Sequence, residues 1–231
     1  MKILLKLLPK RYGSWLCFFT LELLAFLIMI EELKTATGRM RGLEEFMEVG
    51  FYVNSPVLPV SVLGATTLLW LEEFSRRRIE LYVSCGMKRT TIFWSKVLLG
   101  QLWVLLGMII FIAGLYWQGS RLFQSGGLLL LLSQLGPAIA LYTGMAFLLS
   151  SLGTVSGIWF RKKIMAIFLP VAFALLWEFW REPFGEMRIY QVVFYHDWSM
   201  AFRLTGIMIV LSVFFYGMGY WLMCVRGIDL C

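Results

Sequence analysis

WSKVLLGQLWVLLGMIIFIAGLYW, residues 94–117, decides the fold. After Lys96 it carries no charge as far as Trp117. Each helical residue advances about 1.5 Å, so roughly 20 apolar residues cross the ~30 Å hydrocarbon core of a bilayer. A helix also satisfies its own backbone hydrogen bonds, which lipid cannot do for it. The stretch therefore reads as a transmembrane helix.

Outward from it, five further apolar runs lie near 13–30, 54–71, 128–151, 164–180 and 204–225. The run at 164–180 is the shortest and contains Pro170, so a kink or tilt is expected there. The whole chain agrees: 60% of its 231 residues are hydrophobic and 15% charged, against about 45–50% and about 25% in soluble domains. The expected fold is an all-α integral membrane protein of about six spans, one transmembrane domain over 1–231, with no separate soluble catalytic domain. Residues 1–12, MKILLKLLPKRY, place Lys2, Lys6 and Lys10 on one helical face and Ile3, Leu4, Leu7 and Leu8 on the other. That pattern predicts an interfacial amphipathic helix against membrane lipids.

The net charge of +7 sits between the apolar runs. Such placement reports topology and contact with anionic headgroups, and it argues against a nucleic-acid partner. The N-terminal arm, the connection at 76–96, that at 161–163 and Arg226 together hold twice the Lys and Arg of the opposite connections. The positive-inside rule then puts both termini in the cytoplasm of a cell membrane, of the bacterial plasma-membrane kind. Cys17, Cys85, Cys224 and Cys231 form no C-x-x-C pair and fall in no external loop, so no disulfide framework is expected.

Enzyme signatures are mostly missing. One histidine, His196, rules out a His-rich zinc site and an H-E-x-x-H protease. The chain has neither G-x-S-x-G nor G-x-x-x-x-G-K-[ST]. No catalytic residue, metal ligand or cofactor is therefore assigned. Glu72-Glu73-Phe74-Ser75-Arg76-Arg77 fits the E-E-x-x-x-R pattern of intramembrane CAAX-type proteases. That family also needs histidines, and the residue four before His196 is Val192. Glu22, in the middle of the first run, is a candidate pathway residue or a protonated acid facing another helix. Glu178, near the outer end of the fifth, has Arg181 as its expected partner. Gly136, Ala140 and Gly144 stand four apart, a stripe suited to close helix contact.

The most informative connection is 72–96, EEFSRRRIELYVSCGMKRTTIFWSK. It reads as a short surface helix, a break at Ser84-Cys85-Gly86 with glycine as the stop, and entry into the third span. Ile79, Leu81, Tyr82 and Val83 are its apolar residues, expected to bury against the membrane surface or a partner.

This connection resembles the cytoplasmic loop of ABC-2 type permeases, the membrane subunits of ATP-driven exporters. An acidic residue, an "-E-x-L-" step, a turn, a basic residue and a Lys at the next span map onto Glu73, Glu80, Leu81, Arg89 and Lys96. Arg77-Arg78 stand where that family often has a small residue, which alters the charge presented to a partner. The resemblance implies a coupling loop at 72–93 that docks on a separate ABC ATPase subunit through Glu73, Ile79, Glu80, Leu81, Tyr82, Gly86 and Arg89. It also implies a second permease chain, with ATP and Mg held by the ATPase. Spans rich in Trp, Phe and Met suit an amphipathic peptide or a hydrophobic toxin or antibiotic as cargo, although Trp also belongs to interface belts. Two alternatives stand beside this: a non-transport membrane assembly or sensor protein, and an intramembrane protease using Glu72 and Glu73.

Overall fold

The computed structural model describes residues 42–53, 57–75, 77–123, 135–160, 168, 172 and 192–225. Regular structure among them is helical throughout: α1 (Leu43–Val53), α2 (Val57–Ser75), α3 (Arg78–Ser84), α4 (Arg89–Phe123), α5 (Gly136–Phe160) and α6 (Trp198–Tyr220), which continues as a π turn, Trp221–Val225. The helices α4, α5 and α6 with its π turn are long and apolar enough to cross a membrane. The amphipathic helix at 1–12, the run at 13–30 with Glu22, and the run at 164–180 apart from Phe168 and Ala172 lie outside the described residues.

Where the expected runs are described, they fall on helices. Residues 57–71 of the run at 54–71 lie on α2, the run at 94–117 lies inside α4, and that at 204–225 lies on α6 and its π turn. The fourth differs. Residues 128–134 lie outside the described part, and α5 runs past the expected end at 151 to Phe160. The stretch SSLGTVSG at 150–157 looks like a break but stays helical. Its hydroxyls fold back on the helix: Ser151 donates to the Leu148 carbonyl at 2.6 Å and Thr154 to that of Ser150 at 2.9 Å. Polar side chains satisfied this way are tolerated in an apolar setting.

Neighbouring contacts give each helix its direction. Gly136 faces the Trp198 ring, Gly144 the Thr205 backbone, and Gly219 both Thr154 and Phe93. Tyr216 donates to Ser150 at 3.1 Å. The paired numbers rise together, so α5 and α6 run the same way. Gly153 against Leu63 and Thr66, and Gly157 against Thr67 and Trp70, show that α2 runs that way too. Helix α4 runs against them, with Gly100 near Leu69 and Lys96 bonded to Glu73.

Glycines set how closely these helices approach. A Cβ at Gly144 would lie 3.2 Å from the Thr205 Cα. At Gly157 it would lie 2.6 Å from the Trp70 Cβ and 2.9 Å from the Thr67 carbonyl. The expected stripe therefore meets α6 through Gly136 and Gly144, with Ala140 between them half-buried. A second stripe, Gly153 and Gly157, meets α2 and was not anticipated. Small residues that admit a neighbouring backbone are the usual means of helix contact in lipid.

Helix α1 is also unexpected, since 31–53 reads as a connection. Its sequence LEEFMEVGFYV sets Leu43, Phe46, Met47, Gly50 and Phe51 at the spacing of one helical face. Phe46, Met47 and Phe51 are fully buried, in a core with Met108 and Leu115 of α4 and Leu141 and Met145 of α5. The Tyr142 hydroxyl donates to the Phe51 carbonyl at 2.6 Å, filling one of the acceptors that a helix end leaves open. A second core, at the other end of the bundle, gathers Trp70, Ile79, Tyr82, Phe93, Ile158 and Leu222.

Substituting Gly157 with Leu is predicted to destabilise the chain by about 1–3 kcal/mol or more through overpacking against α2. The same change at Gly206, where a Cβ meets open space, should stay within about 0.5 kcal/mol of wild type. Unfolding in detergent compares the two, and equal effects would contradict a close α2–α5 seam.

Candidate functional site

The second core is capped by the segment that sequence singled out. The chain leaves α2, turns through Arg77 in a left-handed conformation (φ 49°), and enters α3. The Arg77 N–H donates to the Phe74 carbonyl at 3.1 Å, closing the turn. At its far end, Met87 N–H bonds the Tyr82 carbonyl at 3.0 Å and Gly86 N–H that of Val83 at 2.9 Å. These two bonds, with Gly86 at φ 82°, make a Schellman stop. Glycine is required there because a Cβ disfavours positive φ. Two tight turns thus hold a seven-residue helix across the feet of α2 and α4.

Glu73 lies at the centre, with 2% of its surface exposed. Its Oε1 accepts from Lys96 Nζ of α4 at 2.7 Å, and Arg78 Nη1 of α3 lies 3.5 Å away. Lys96 Nζ also stands 5.8 Å from the centroid of the Tyr82 ring, within reach of a cation–π attraction. Burial first, and then the Glu73 charge, push the Tyr82 phenol above its ordinary value. One carboxylate from α2 thereby ties together three helices. Its Oε2 is buried without a partner among the described residues.

The residues assigned to the coupling loop divide by exposure. Leu81 is 58% exposed, Gly86 is exposed, and Glu80 and Arg89 are half-buried. Ile79 and Tyr82 correct the expectation that they bury against the membrane or a partner: they are buried in this chain's own second core. They stand three apart on one face of α3, and the Arg77 turn lays that face over the core. Arg78, the cation nearest Glu73 after Lys96, was not picked out, although its place at the start of α3 aims it back at α2.

A second polar feature was missed. Gln101 of α4 donates to the Tyr216 hydroxyl of α6, which donates to Ser150 of α5. This buried line joins three helices inside apolar surroundings. Its sequence signal was a lone amide in an otherwise apolar run. His196 lies beside α1 at the opposite end, in contact with Glu44 and Glu48. The described histidine therefore does not reach the Glu72-Glu73 pair.

No protein-family profile, curated protein or solved structure matches this chain. The structure itself defines a helical bundle, three of whose helices are long and apolar enough to span a membrane, with a short ion-tied crossing helix at one end.

Lys96→Met should destabilise the chain by about 3–5 kcal/mol, because it leaves the Glu73 carboxylate buried without its closest cation. Adding Glu73→Gln to that variant should recover part of the loss. A double-mutant cycle measures it, and additive single effects would show that the two groups do not interact.

Proposed function

We propose that this chain is the membrane-spanning permease subunit of an ABC exporter. It crosses the cell membrane six times with both termini in the cytoplasm. Two such chains, or this chain and a related one, form the pathway, and separate ATPase subunits bind ATP and Mg. The observation that carries this reading is α3: a short helix locked through Glu73, Lys96 and Arg78 onto two long helices, with Leu81 turned outward. A force on Leu81 and Glu80 reaches the feet of α2 and α4 together, because α3 packs on Trp70 and Phe93 through Ile79 and Tyr82 and its Arg78 stands 3.5 Å from Glu73. That is the mechanical requirement for coupling ATP-driven motion to a membrane pathway.

The directions of the helices support the span count. Since α5 and α6 run the same way, the six-span reading needs one more span between them, which it assigns to the apolar run at 164–180. Exposed tryptophans support the bilayer placement: Trp94, Trp159 and Trp221 ring the α3 end, and Trp117 and Trp198 the α1 end. Two such belts are typical of membrane interfaces. They leave Phe and Met as the residues suited to cargo, which we take to be an amphipathic peptide or a hydrophobic toxin or antibiotic.

Glu80→Lys and Leu81→Glu are predicted to leave the chain inserted and folded, to strip the ATPase subunit from it in co-purification, and to abolish export. Losing one partner of a desolvated interface pair costs about 2–5 kcal/mol. Variants that hold the ATPase and export at the wild-type level would sink the coupling role. A wild-type chain that brings down no ATPase would favour an assembly or sensor protein.

Sidedness has its own test. Cys85 is exposed at the end of α3. With the other cysteines replaced, a membrane-impermeant thiol reagent should reach Cys85 only after permeabilisation, and should reach a cysteine placed at Gly42 in intact cells. The opposite pattern reverses the topology.

A further inference from the structure

At the α1 end of the bundle, two carboxylates and the single imidazole of the chain converge. Glu44 and Glu48 are four apart on α1, so their side chains share a face. His196 comes from a distant part of the chain, two residues before α6. Asp197 caps that helix by accepting from the Met200 N–H at 3.0 Å. His196 itself holds a left-handed backbone (φ 52°), which swings its ring toward α1. Its Nε2 lies 3.2 Å from the Glu48 carboxylate and 3.5 Å from that of Glu44, and the three donor atoms lie within 4.8 Å of one another.

We propose that Glu44, Glu48 and His196 bind a divalent first-row transition-metal ion, which fastens α1 to the start of α6. The spacing suits it. A tetrahedral ion with bonds of about 2.0–2.2 Å holds its ligand atoms roughly 3.3–3.6 Å apart. The donor set also suits it. Two carboxylate oxygens with one imidazole nitrogen favour zinc or manganese-like ions over magnesium and calcium, which prefer oxygen throughout. Three protein ligands leave at least one position open to water.

Two independent features separate this cluster from an ordinary ion pair. The first is preorganisation. Phe46, Met47 and Phe51 of α1 are fully buried in the first core, and Tyr142 holds its last turn, so Glu44 and Glu48 are presented on a fixed helix. The second is burial: Glu48 is buried, and its carboxylate meets His196 Nε2 at 3.2 Å with the Glu44 carboxylate also beside that nitrogen. His196 Nδ1 is buried with no partner among the described residues, so only what binds Nε2 fixes the ring. A cation between the three groups neutralises the carboxylates and fixes the ring through Nε2. The Glu44 side chain is 44% exposed, which gives an ion a way in. The lone histidine excluded a His-rich zinc site, but one imidazole is all this arrangement needs. Nothing here depends on the exporter reading.

The test uses the full chain in detergent, stripped with a chelator and titrated calorimetrically with zinc and, separately, manganese. One ion per chain at micromolar affinity or tighter is expected for at least one of them, with no comparable binding of magnesium or calcium. His196→Asn keeps a residue that accepts the left-handed backbone but removes the imidazole, and Glu48→Gln removes a charged ligand. Each should weaken binding at least tenfold, while Glu45→Gln should not. Cobalt-loaded wild type should show a visible ligand-field spectrum that His196→Asn changes. Circular dichroism confirms that each variant remains helical. Absence of stoichiometric binding to the wild type, or binding undiminished in both folded ligand variants, overturns the proposal.

Discussion

The carboxylate of Glu73 constrains one whole end of this molecule. A charge with 2% of its residue exposed must be matched where it stands, because removing it from water costs several kcal/mol. Lys96 matches it directly and Arg78 from the side. Lys96 lies seven residues into α4 and Arg78 begins α3, so one acidic side chain at the foot of α2 fixes the register of both. The core beneath depends on that register. Ile79 and Tyr82 reach Trp70 and Phe93 only while α3 lies flat across the bundle. Buried ion pairs add less net stability than their Coulomb energy suggests, but they penalise wrong arrangements heavily.

Along the bundle, contact between helices is governed by what is absent from the side chains. Gly153 and Gly157 leave room for the α2 backbone, and Gly144 for that of α6. In lipid, apolar side chains gain little by leaving the solvent, so close packing and satisfied polar groups must supply the cohesion. The Gln101–Tyr216–Ser150 line adds the second ingredient at the same interfaces. Helix α5 carries most of this load: it has small residues on two faces and touches both α2 and α6. The hydroxyls of Ser151 and Thr154 bond to its own carbonyls, so these polar groups are satisfied inside the helix.

Period and length made the long elements legible. Runs such as 94–117 announce a helix because no other structure hides so much apolar surface without an unpaired backbone. The α3 stop was legible for a similar reason, since Gly86 is the residue that accepts the conformation a Schellman turn demands. Helix α1 was not legible. Three glutamates in eleven residues made it look like a connection, although its buried face repeats at helical spacing. The orientation of α3 was also out of reach. Whether Ile79 and Tyr82 face inward or outward depends on the left-handed turn at Arg77, and an arginine gives no hint of φ 49°. The Glu44, Glu48 and His196 cluster needs two segments far apart in sequence to be brought together, which composition cannot report.

Helix α4 connects these features. Lys96, near its start, belongs to the ion cluster around Glu73, and Leu115 and Gly119 of its last turns touch α1. From Lys96 to Leu115 a straight helix rises about 28 Å, close to the thickness of a hydrocarbon core. Between Lys96 and Arg121 α4 has no charged residue, and α5 has none anywhere. Among the described residues charge therefore falls in two layers, each tied to a short helix: α3 in one and α1 in the other. Gly119, in the last turns of α4, takes the packing of Leu43 and Phe46, so one uninterrupted helix joins the charged layer at α3 to the charged layer at α1.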